Sequence, residues 1–313
     1  MPFFVYGHGG IGKTFLWSTI ISKLQFEGKI VLIIAMSGIG ALLLPGGRTS
    51  HSRFRIPLDV TKKSTCDIKK ITQLEKLILT TSLIIWDEAL IANRYCFEAL
   101  DRSLTDILSD KDSSNANRIF GGITVALGGD FRQILPVIPK GKKYDVMQAC
   151  LSSSPLWEHV TTLKLTENMR LKKNFQCDAE LDELTTFDRW LLQIGEGTGV
   201  SEDESFIEIP EDLKLSQHKN LEERIVNVVF PNLSTEIGNV DYIRERAILT
   251  AKNDTAHELN DYIIQKLQSK SKIYYSSDST CKVAGTSNDD DILYPIEFLN
   301  TLMCSSMPNK NCN

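Results

Sequence analysis

The segment Gly7–Thr14 constrains the fold of this chain more than any other, because it places four glycines, at positions 7, 9, 10 and 12, directly before a Lys-Thr pair. A short apolar run, Phe3–Tyr6, precedes it, and apolar residues at helical spacing follow from Phe15 to Leu24. A strand, a glycine turn and a helix in this order are typical of a phosphate-binding loop. The alternative is a glycine-rich turn that only happens to precede a helix.

The residue types in this segment explain how it would hold a nucleotide. Glycines let successive backbone N–H groups converge on a phosphate, and the helix N-terminus adds its positive dipole end. Lys13 is predicted to reach the β- and γ-phosphates of ATP, and the Thr14 hydroxyl is predicted to ligate Mg²⁺. The predicted nucleotide-binding residues are Gly7, Gly9, Gly10, Gly12, Lys13 and Thr14.

Buried strands alternate with helical patterns over the first half of the chain. Ile30–Ala35, Leu83–Trp86 and Ile123–Leu127 are continuous apolar runs, typical of strands covered on both faces. Helical spacing of apolar residues occupies Lys70–Leu79 and Tyr95–Leu108. This alternation, led by a phosphate loop, predicts an α/β fold with a doubly wound parallel sheet, which is the fold of a P-loop NTPase.

The composition is that of a globular protein of about two domains, with 42% hydrophobic and 24% charged residues. No apolar run approaches the roughly 20 residues that span a bilayer, and the start lacks a basic signal segment, so we expect no membrane partner. The cysteines form no Cys-x-x-Cys pair, which predicts free thiols in a reducing compartment and disfavours a zinc site. They occupy positions 66, 96, 150, 177, 281, 304 and 312.

Charge is divided unevenly along the chain. Residues 1–170 contain 21 Lys and Arg against 15 Asp and Glu, a net charge of +6. Residues 171–313 contain 14 against 25, a net charge of −11. A basic first part favours binding to nucleic-acid phosphates, although ordinary surface charge is the alternative interpretation.

Two adjacent carboxylates follow the apolar run Leu83–Trp86. Asp87 is predicted to hold the Mg²⁺ shell, and Glu88 is predicted to orient or deprotonate the attacking water. In open α/β sheets, ligands bind at the edge where strands end, and these acids would lie at that edge. The alternative is a strand that ends in a solvated acidic turn.

Two further candidates complete the predicted catalytic set. Gln133 follows the apolar run Ile123–Leu127 and can hydrogen-bond a γ-phosphate or its attacking water. Arg170 is a candidate for the positive charge that neutralises the developing γ-phosphate. For an arginine considered alone, an ion pair on a helix is the structural alternative.

Taken together, these motifs resemble the petite-integration-frequency (PIF) DNA helicases of superfamily one, and especially their plant and transposon-associated branch. The resemblance covers about residues 1–302, and Gly129–Pro136 is its most specific part. Ala247–Asn260 and Tyr294–Asn300 resemble segments of the second motor domain of that family. The motifs that carry the resemblance are Gly7–Thr14, Ser37–Ile39, Gly47–Ser52, Trp86–Ala89, Gly129–Pro136 and Glu167–Arg170.

The resemblance implies two RecA-like domains, at residues 1–172 and 173–313, that translocate on single-stranded DNA and unwind tailed duplexes with five-prime to three-prime polarity. It also implies a nuclear location and roles in repair, recombination and telomere maintenance. A different P-loop ATPase, such as a signalling switch, would not explain Gly129–Pro136 or Glu167–Arg170. The resemblance names no protein partners.

DNA contacts are expected at the two motifs that follow the second strand. Hydroxyl, amide and cationic groups can track a DNA backbone, and an aromatic ring can stack on a base. The alternatives are a capped loop histidine for His51 and a core anchor for Phe54. The candidate DNA-binding residues are Ser37, Gly38, Thr49, His51 and Phe54.

Relative to the family, the chain lacks the upstream adenine-contacting segment and the last motifs of the second motor domain. We therefore expect a chain truncated at both ends, with an incomplete second RecA-like domain. Such a chain would bind nucleotide, and single-stranded DNA weakly, without unwinding a duplex. The alternative to an active helicase is accordingly a non-catalytic nucleotide- and DNA-binding remnant.

Overall fold

Apolar, largely β-branched residues form the central strands of a parallel sheet in this computed structural model, which describes residues 1–169, 171, 178–198, 206–216, 219–250 and 252–267. Six strands pair in the order β3-β2-β4-β5-β1-β6, and every pair is parallel. Parallel pairing confirms the predicted α/β fold. The strands are β1 Pro2–Tyr6, β2 Ile30–Ala35, β3 Arg48–Thr49, β4 Thr81–Asp87, β5 Thr124–Gly129 and β6 Thr161–Lys164.

Helices connect the strands and continue beyond them. None of the described helices combines the length and the apolar composition that crossing a membrane requires. The helices are α1 Lys13–Phe26, α2 Gly38–Leu42, α3 Ser50–Phe54, α4 Gln73–Thr80, α5 Arg94–Lys111, α6 Lys143–Ala149, α7 Asp178–Glu196, α8 Leu221–Val229, α9 Leu233–Glu236, α10 Val240–Arg244 and α11 Asn253–Lys266.

The sheet separates two apolar layers, because successive side chains of a strand point to opposite faces. On one face, α5 covers the strands, and the rings of Trp86 and Phe97 lie 4.3 Å apart between centroids. On the other face, α1 packs Trp17 and Ile21 against the strands. Helices on both faces make the sheet doubly wound, as predicted. Strand residues of the α5 face are Phe4, Leu32, Ile34, Ile84, Trp86, Val125 and Leu127, and those of the α1 face are Val5, Ile33, Leu83, Ile85 and Ala126.

Phe54 belongs to the core and not to a DNA-binding surface. Its side chain is 0% exposed and packs in the same apolar layer as Trp86 and Phe97. A base cannot stack on a ring that has no accessible face, so the prediction that Phe54 contacts DNA is wrong. The core-anchor alternative describes this residue correctly.

Three of the predicted free thiols lie in the described part of the chain. Cys66, Cys96 and Cys150 are free and buried. Burial raises the pKa of both Cys66 and Cys96 to about 11, so these two remain thiols at neutral pH. The other four cysteines, at 177, 281, 304 and 312, lie outside the described residues.

The chain divides into two compact units, Met1–Glu208 and Ile209–Asn313. The first unit thus extends beyond the boundary predicted at residue 172, because α7 belongs to it. Glu196 of α7 accepts a charged hydrogen bond of 3.1 Å from Arg132. The second unit has a small core of its own, formed by Val226, Leu233, Tyr242 and Leu259.

The described residues of the second unit form helices and contain no strand. Arg246–Thr250, which has the apolar pattern of a strand, is irregular: Ile248 packs on the small core, while Leu249 is 92% exposed. A lone extended segment has no neighbour for its backbone hydrogen bonds, so alternation by itself does not make a strand. The sheet of a second RecA-like domain is therefore not present in this part of the chain, and Tyr294–Asn300 lies outside the described residues.

We predict that Phe54→Ala lowers the free energy of unfolding by about 3–5 kcal/mol, as expected for an aromatic ring removed from a core. Urea denaturation followed by circular dichroism measures this loss. Phe26→Ala, which removes a ring that is 89% exposed, is the matched control and costs little. A folded Phe54→Ala variant of native stability that had lost affinity for single-stranded DNA would restore the base-stacking role.

Candidate nucleotide and nucleic-acid site

The loop between β1 and α1 has the backbone conformation of a phosphate cradle. Gly10 and Gly12 have φ angles of 86° and 91°, in the left-handed region that residues with a Cβ rarely adopt. Gly12 lies at the N-cap of α1, so the helix begins at Lys13 with its first N–H groups facing the loop. The predicted order of strand, loop and helix is confirmed.

Lys13 extends over this loop. Its Nζ donates hydrogen bonds to the carbonyl oxygens of Gly7 and His8, the latter at 3.2 Å. Burial lowers the pKa of Lys13, and the carboxylates of Asp87 and Asp130 oppose that shift. The amine is therefore partly desolvated and lies among the charges of the predicted site, while Thr14 is exposed in the first turn of α1.

Asp87 is the last residue of β4, which pairs with β2 on one side and with β5 on the other. Its Oδ1 lies so close to Gly128 that a Cβ built on that glycine would be 2.6 Å from the oxygen. A glycine at position 128 therefore leaves room for the carboxylate. The indole N–H of Trp17 lies against the same glycine, is buried, and has no hydrogen-bond partner among the described residues.

Glu88 directs its carboxylate toward α2. Its backbone is left-handed, with φ 53° and ψ 34°, a conformation that costs a non-glycine residue about 1–3 kcal/mol and recurs at functional sites. The hydroxyl of Ser37 donates to its Oε2 at 2.7 Å. Ser37 also accepts the backbone N–H of Gly40 at 2.9 Å, so one hydroxyl joins Glu88 to the first turn of α2.

Asp130 and Arg132, which follow β5, form an ion pair, and neither residue is among the predicted site residues. Asp130 is 4% exposed and accepts hydrogen bonds from the backbone N–H and the Nε of Arg132, at 3.1 and 3.0 Å. The rule that identified Asp87, an acid directly after a buried strand, also fits Asp130. The predicted Gln133 is exposed, and its backbone N–H donates to the Asp130 carbonyl at 2.9 Å.

The predicted Arg170 lies outside the described residues. The residue before it, Met169, donates its backbone N–H to the carbonyl of Gly10 at 3.1 Å. The segment that leads to Arg170 therefore touches the phosphate loop. The role of Arg170 itself stays a prediction.

The candidate DNA-binding segments begin α2 and α3, after the ends of β2 and β3. Ser37 and Thr49 are N-caps, and Thr49 accepts the backbone N–H of Ser52 at 3.3 Å. His51 bonds the carbonyl of Ile56 through Nδ1 at 3.0 Å, as the capped-histidine alternative expects. Gly38 is exposed. Since parallel strands end at the same edge of a sheet, these residues share that edge with the loop and with Asp87, whereas Phe54 is buried below it.

The phosphate loop, the acidic strand end and the parallel sheet together define a P-loop nucleotide-binding domain. Residues 1–205 match the family model described as PIF1-like helicase. The chain belongs to that family.

Curated relatives are similar over part of the chain only. The ATP-dependent DNA helicase PIF4 of Trypanosoma brucei brucei is 28% identical over 43% of this chain and 16% of its own length. The Pif1 helicase of Campylobacter jejuni is 29% identical over 45% and 30%, and RRM3 of Saccharomyces cerevisiae is 29% identical over 56% and 24%. The matches therefore span less than a third of these relatives.

Solved structures of Pif1 helicases share the fold. Bacteroides Pif1 bound to single-stranded DNA superposes with a TM-score of 0.50 at 26% identity, over 65% of this chain and 44% of that one. Two coordinating Pif1 helicases at forked double-stranded DNA match with a TM-score of 0.50 at 25% identity, over 65% and 46%.

We predict that Lys13→Ala abolishes binding of a nucleoside triphosphate, because a charge-assisted contact to two phosphates is lost. Titration of the variant with a fluorescent nucleotide measures this. Lys23→Ala is the matched control, since Lys23 lies on the same helix with its side chain 68% exposed. Micromolar affinity retained by Lys13→Ala would assign phosphate binding to another group.

Proposed function

We propose that this chain is the ATP-hydrolysing and DNA-contacting part of a DNA helicase. The observation that supports this most directly is the meeting of three groups at one edge of the sheet. These groups are the phosphate loop, the carboxylates of Asp87 and Glu88, and the α2 and α3 starts that carry Ser37 and Thr49. A motor that couples hydrolysis to strand movement needs its nucleotide site and its strand contacts within reach of each other.

The residues at this edge fit a Mg²⁺ ion. Mg²⁺ takes oxygen ligands and is usually bound through one or two carboxylates together with substrate phosphates. Thr14 presents an exposed hydroxyl in the first turn of α1, and Asp87 has a partly exposed carboxylate in the space left by Gly128. When bound there, the ion would neutralise phosphate charge and act as a Lewis acid toward the phosphoryl group.

The remaining roles follow from chemistry. Lys13 binds the β- and γ-phosphates of ATP through its ammonium. Glu88 accepts a proton from water as the water oxygen bonds to the γ-phosphorus and the bond to the β-phosphate oxygen breaks, which releases ADP. Gln133 orients that water or the γ-phosphate, and Arg170 supplies positive charge to the transition state.

We propose single-stranded and tailed duplex DNA as the partners. The basic balance of residues 1–170 supports binding to a phosphate backbone. The Bacteroides Pif1 structure with single-stranded DNA supports the same partner by similarity. The family resemblance further supports five-prime to three-prime polarity, a nuclear location, roles in repair, recombination and telomere maintenance, and a place in the plant and transposon-associated branch.

We predict that Glu88→Gln retains ATP and Mg²⁺ binding but lowers DNA-stimulated hydrolysis about 10²-fold or more, as for the loss of a general base. Phosphate release with and without oligo-dT measures this rate in the native chain and in the variant. Glu158→Gln changes an exposed glutamate elsewhere and is the control. Hydrolysis by Glu88→Gln at the rate of the unmodified chain would show that Glu88 is not the general base. An unmodified chain that binds ATP and DNA but does not hydrolyse ATP would be the non-catalytic remnant.

We predict that affinity for oligo-dT falls steeply as salt rises, by about 0.7 logarithmic units of affinity per unit of log salt for each phosphate neutralised. Arg48→Ala should lower this slope, because Arg48 is exposed where β3 leads into α3. Lys111→Ala, at the end of α5 and therefore at the opposite edge of the sheet, should not. Fluorescence anisotropy at several salt concentrations measures the slope for each variant. Equal slopes for Arg48→Ala and Lys111→Ala would show that DNA does not bind at the start of α3. Strand separation of a tailed duplex by residues 1–313 tests unwinding directly.

A further inference from the structure

The hydrogen bond between Ser37 and Glu88 joins the two halves of the proposed activity. Ser37 lies in the segment proposed to grip DNA, and Glu88 is the proposed general base. Their side chains meet at 2.7 Å although the residues are 51 positions apart in sequence. The contact is partly buried, so water competes for it less than it would on an open surface.

The carboxylate of Glu88 fits closely into this position. A Cβ built on Gly40 would lie 2.7 Å from Glu88 Cδ and 2.9 Å from Ser37 Oγ. Only a glycine at position 40 leaves room for the carboxylate against α2. The left-handed backbone of Glu88 turns the side chain toward this space.

Burial is the main cause of the lowered pKa of Lys13, and three charged groups contribute as well. They are the carboxylates of Asp87 and Asp130 and the guanidinium of Arg132. Asp87 has its Oδ1 against Gly128, whereas its neighbour Glu88 has its carboxylate against Ser37 and Gly40 at the start of α2. A carboxylate that is held by Ser37 must release that hydrogen bond before it can turn toward a water at a γ-phosphate.

We propose that Ser37 is a positioning residue that holds Glu88 away from the attacking water until a DNA strand binds. The proposal rests on the function proposed above. Ser37 has a single hydroxyl proton, so it cannot donate to Glu88 and to a DNA phosphate at the same time. A strand that takes this proton leaves the carboxylate without its donor, and the carboxylate is then free to reach the water. DNA binding thereby starts hydrolysis.

Gly40→Ala tests this without removing a charge or a hydroxyl, because the added methyl group displaces the end of a flexible side chain. We expect hydrolysis without DNA to rise about three- to tenfold, the range that a lost charge-assisted hydrogen bond allows. The rate at saturating oligo-dT and the KM for ATP stay native, so the stimulation ratio falls. Ser37→Ala raises the same basal rate and provides a second variant if Gly40→Ala folds poorly.

The same variant also changes DNA affinity. In the native chain, strand binding must break the Ser37–Glu88 bond, whereas in Gly40→Ala that bond is already broken. Affinity for oligo-dT, measured by anisotropy without nucleotide, is therefore expected to rise about three- to tenfold in Gly40→Ala. Leu42→Ala, which removes an 84% exposed side chain from the same helix, is the control for both measurements.

The outcomes separate this inference from the proposed function. One outcome would overturn this inference but leave the proposed function in place. In that outcome, DNA stimulates hydrolysis by the native chain, and Gly40→Ala has the native basal rate of hydrolysis and the native affinity for DNA. If Gly40→Ala binds DNA more tightly but the native chain hydrolyses no ATP, the competition between Glu88 and DNA for Ser37 is supported and the proposed ATPase activity is refuted. If the native chain does not bind oligo-dT, both proposals are refuted.

Discussion

Parallel pairing of β1 with β5 and β6 decides where the chemistry of this protein lies. In a parallel sheet all strands end at one edge, so the loop after β1 and the acids after β4 and β5 must meet there. Pairing of Ala35 with Asp87 brings the end of β2, and with it Ser37, to the same edge. An antiparallel neighbour would have placed its following loop at the opposite edge of the sheet.

Local patterns predicted the buried strands β1, β2, β4 and β5 and the helices α1, α4 and α5, because each of these patterns is a direct consequence of burial. The apolar run Ile30–Ala35 is β2 without a change of boundary, and the glycine spacing of Gly7–Thr14 fixed the loop. Arg246–Thr250, which has the apolar pattern of a strand but is irregular, shows what local patterns leave out. Its pattern was correct, but a strand depends on partners that the pattern does not contain.

Side-chain contacts between segments that are far apart in the chain could not be predicted from the sequence. Ser37 and Glu88 were each identified separately, but nothing in the local pattern of either indicates that they share a proton. The same holds for Arg132, which bonds Asp130 two residues away and Glu196 on α7. Phe54 was ambiguous for a related reason, since an aromatic between two arginines fits either a core or a strand-binding surface.

The hydrogen bonds of Lys13 make nucleotide binding an exchange of hydrogen-bond acceptors. Its ammonium donates hydrogen bonds to two peptide oxygens, those of Gly7 and His8, so the charge of Lys13 has polar partners within the loop itself. A ligand must replace those oxygens with better acceptors. Charged phosphate oxygens are stronger acceptors than neutral amides, so the exchange favours polyphosphates and discriminates against neutral competitors.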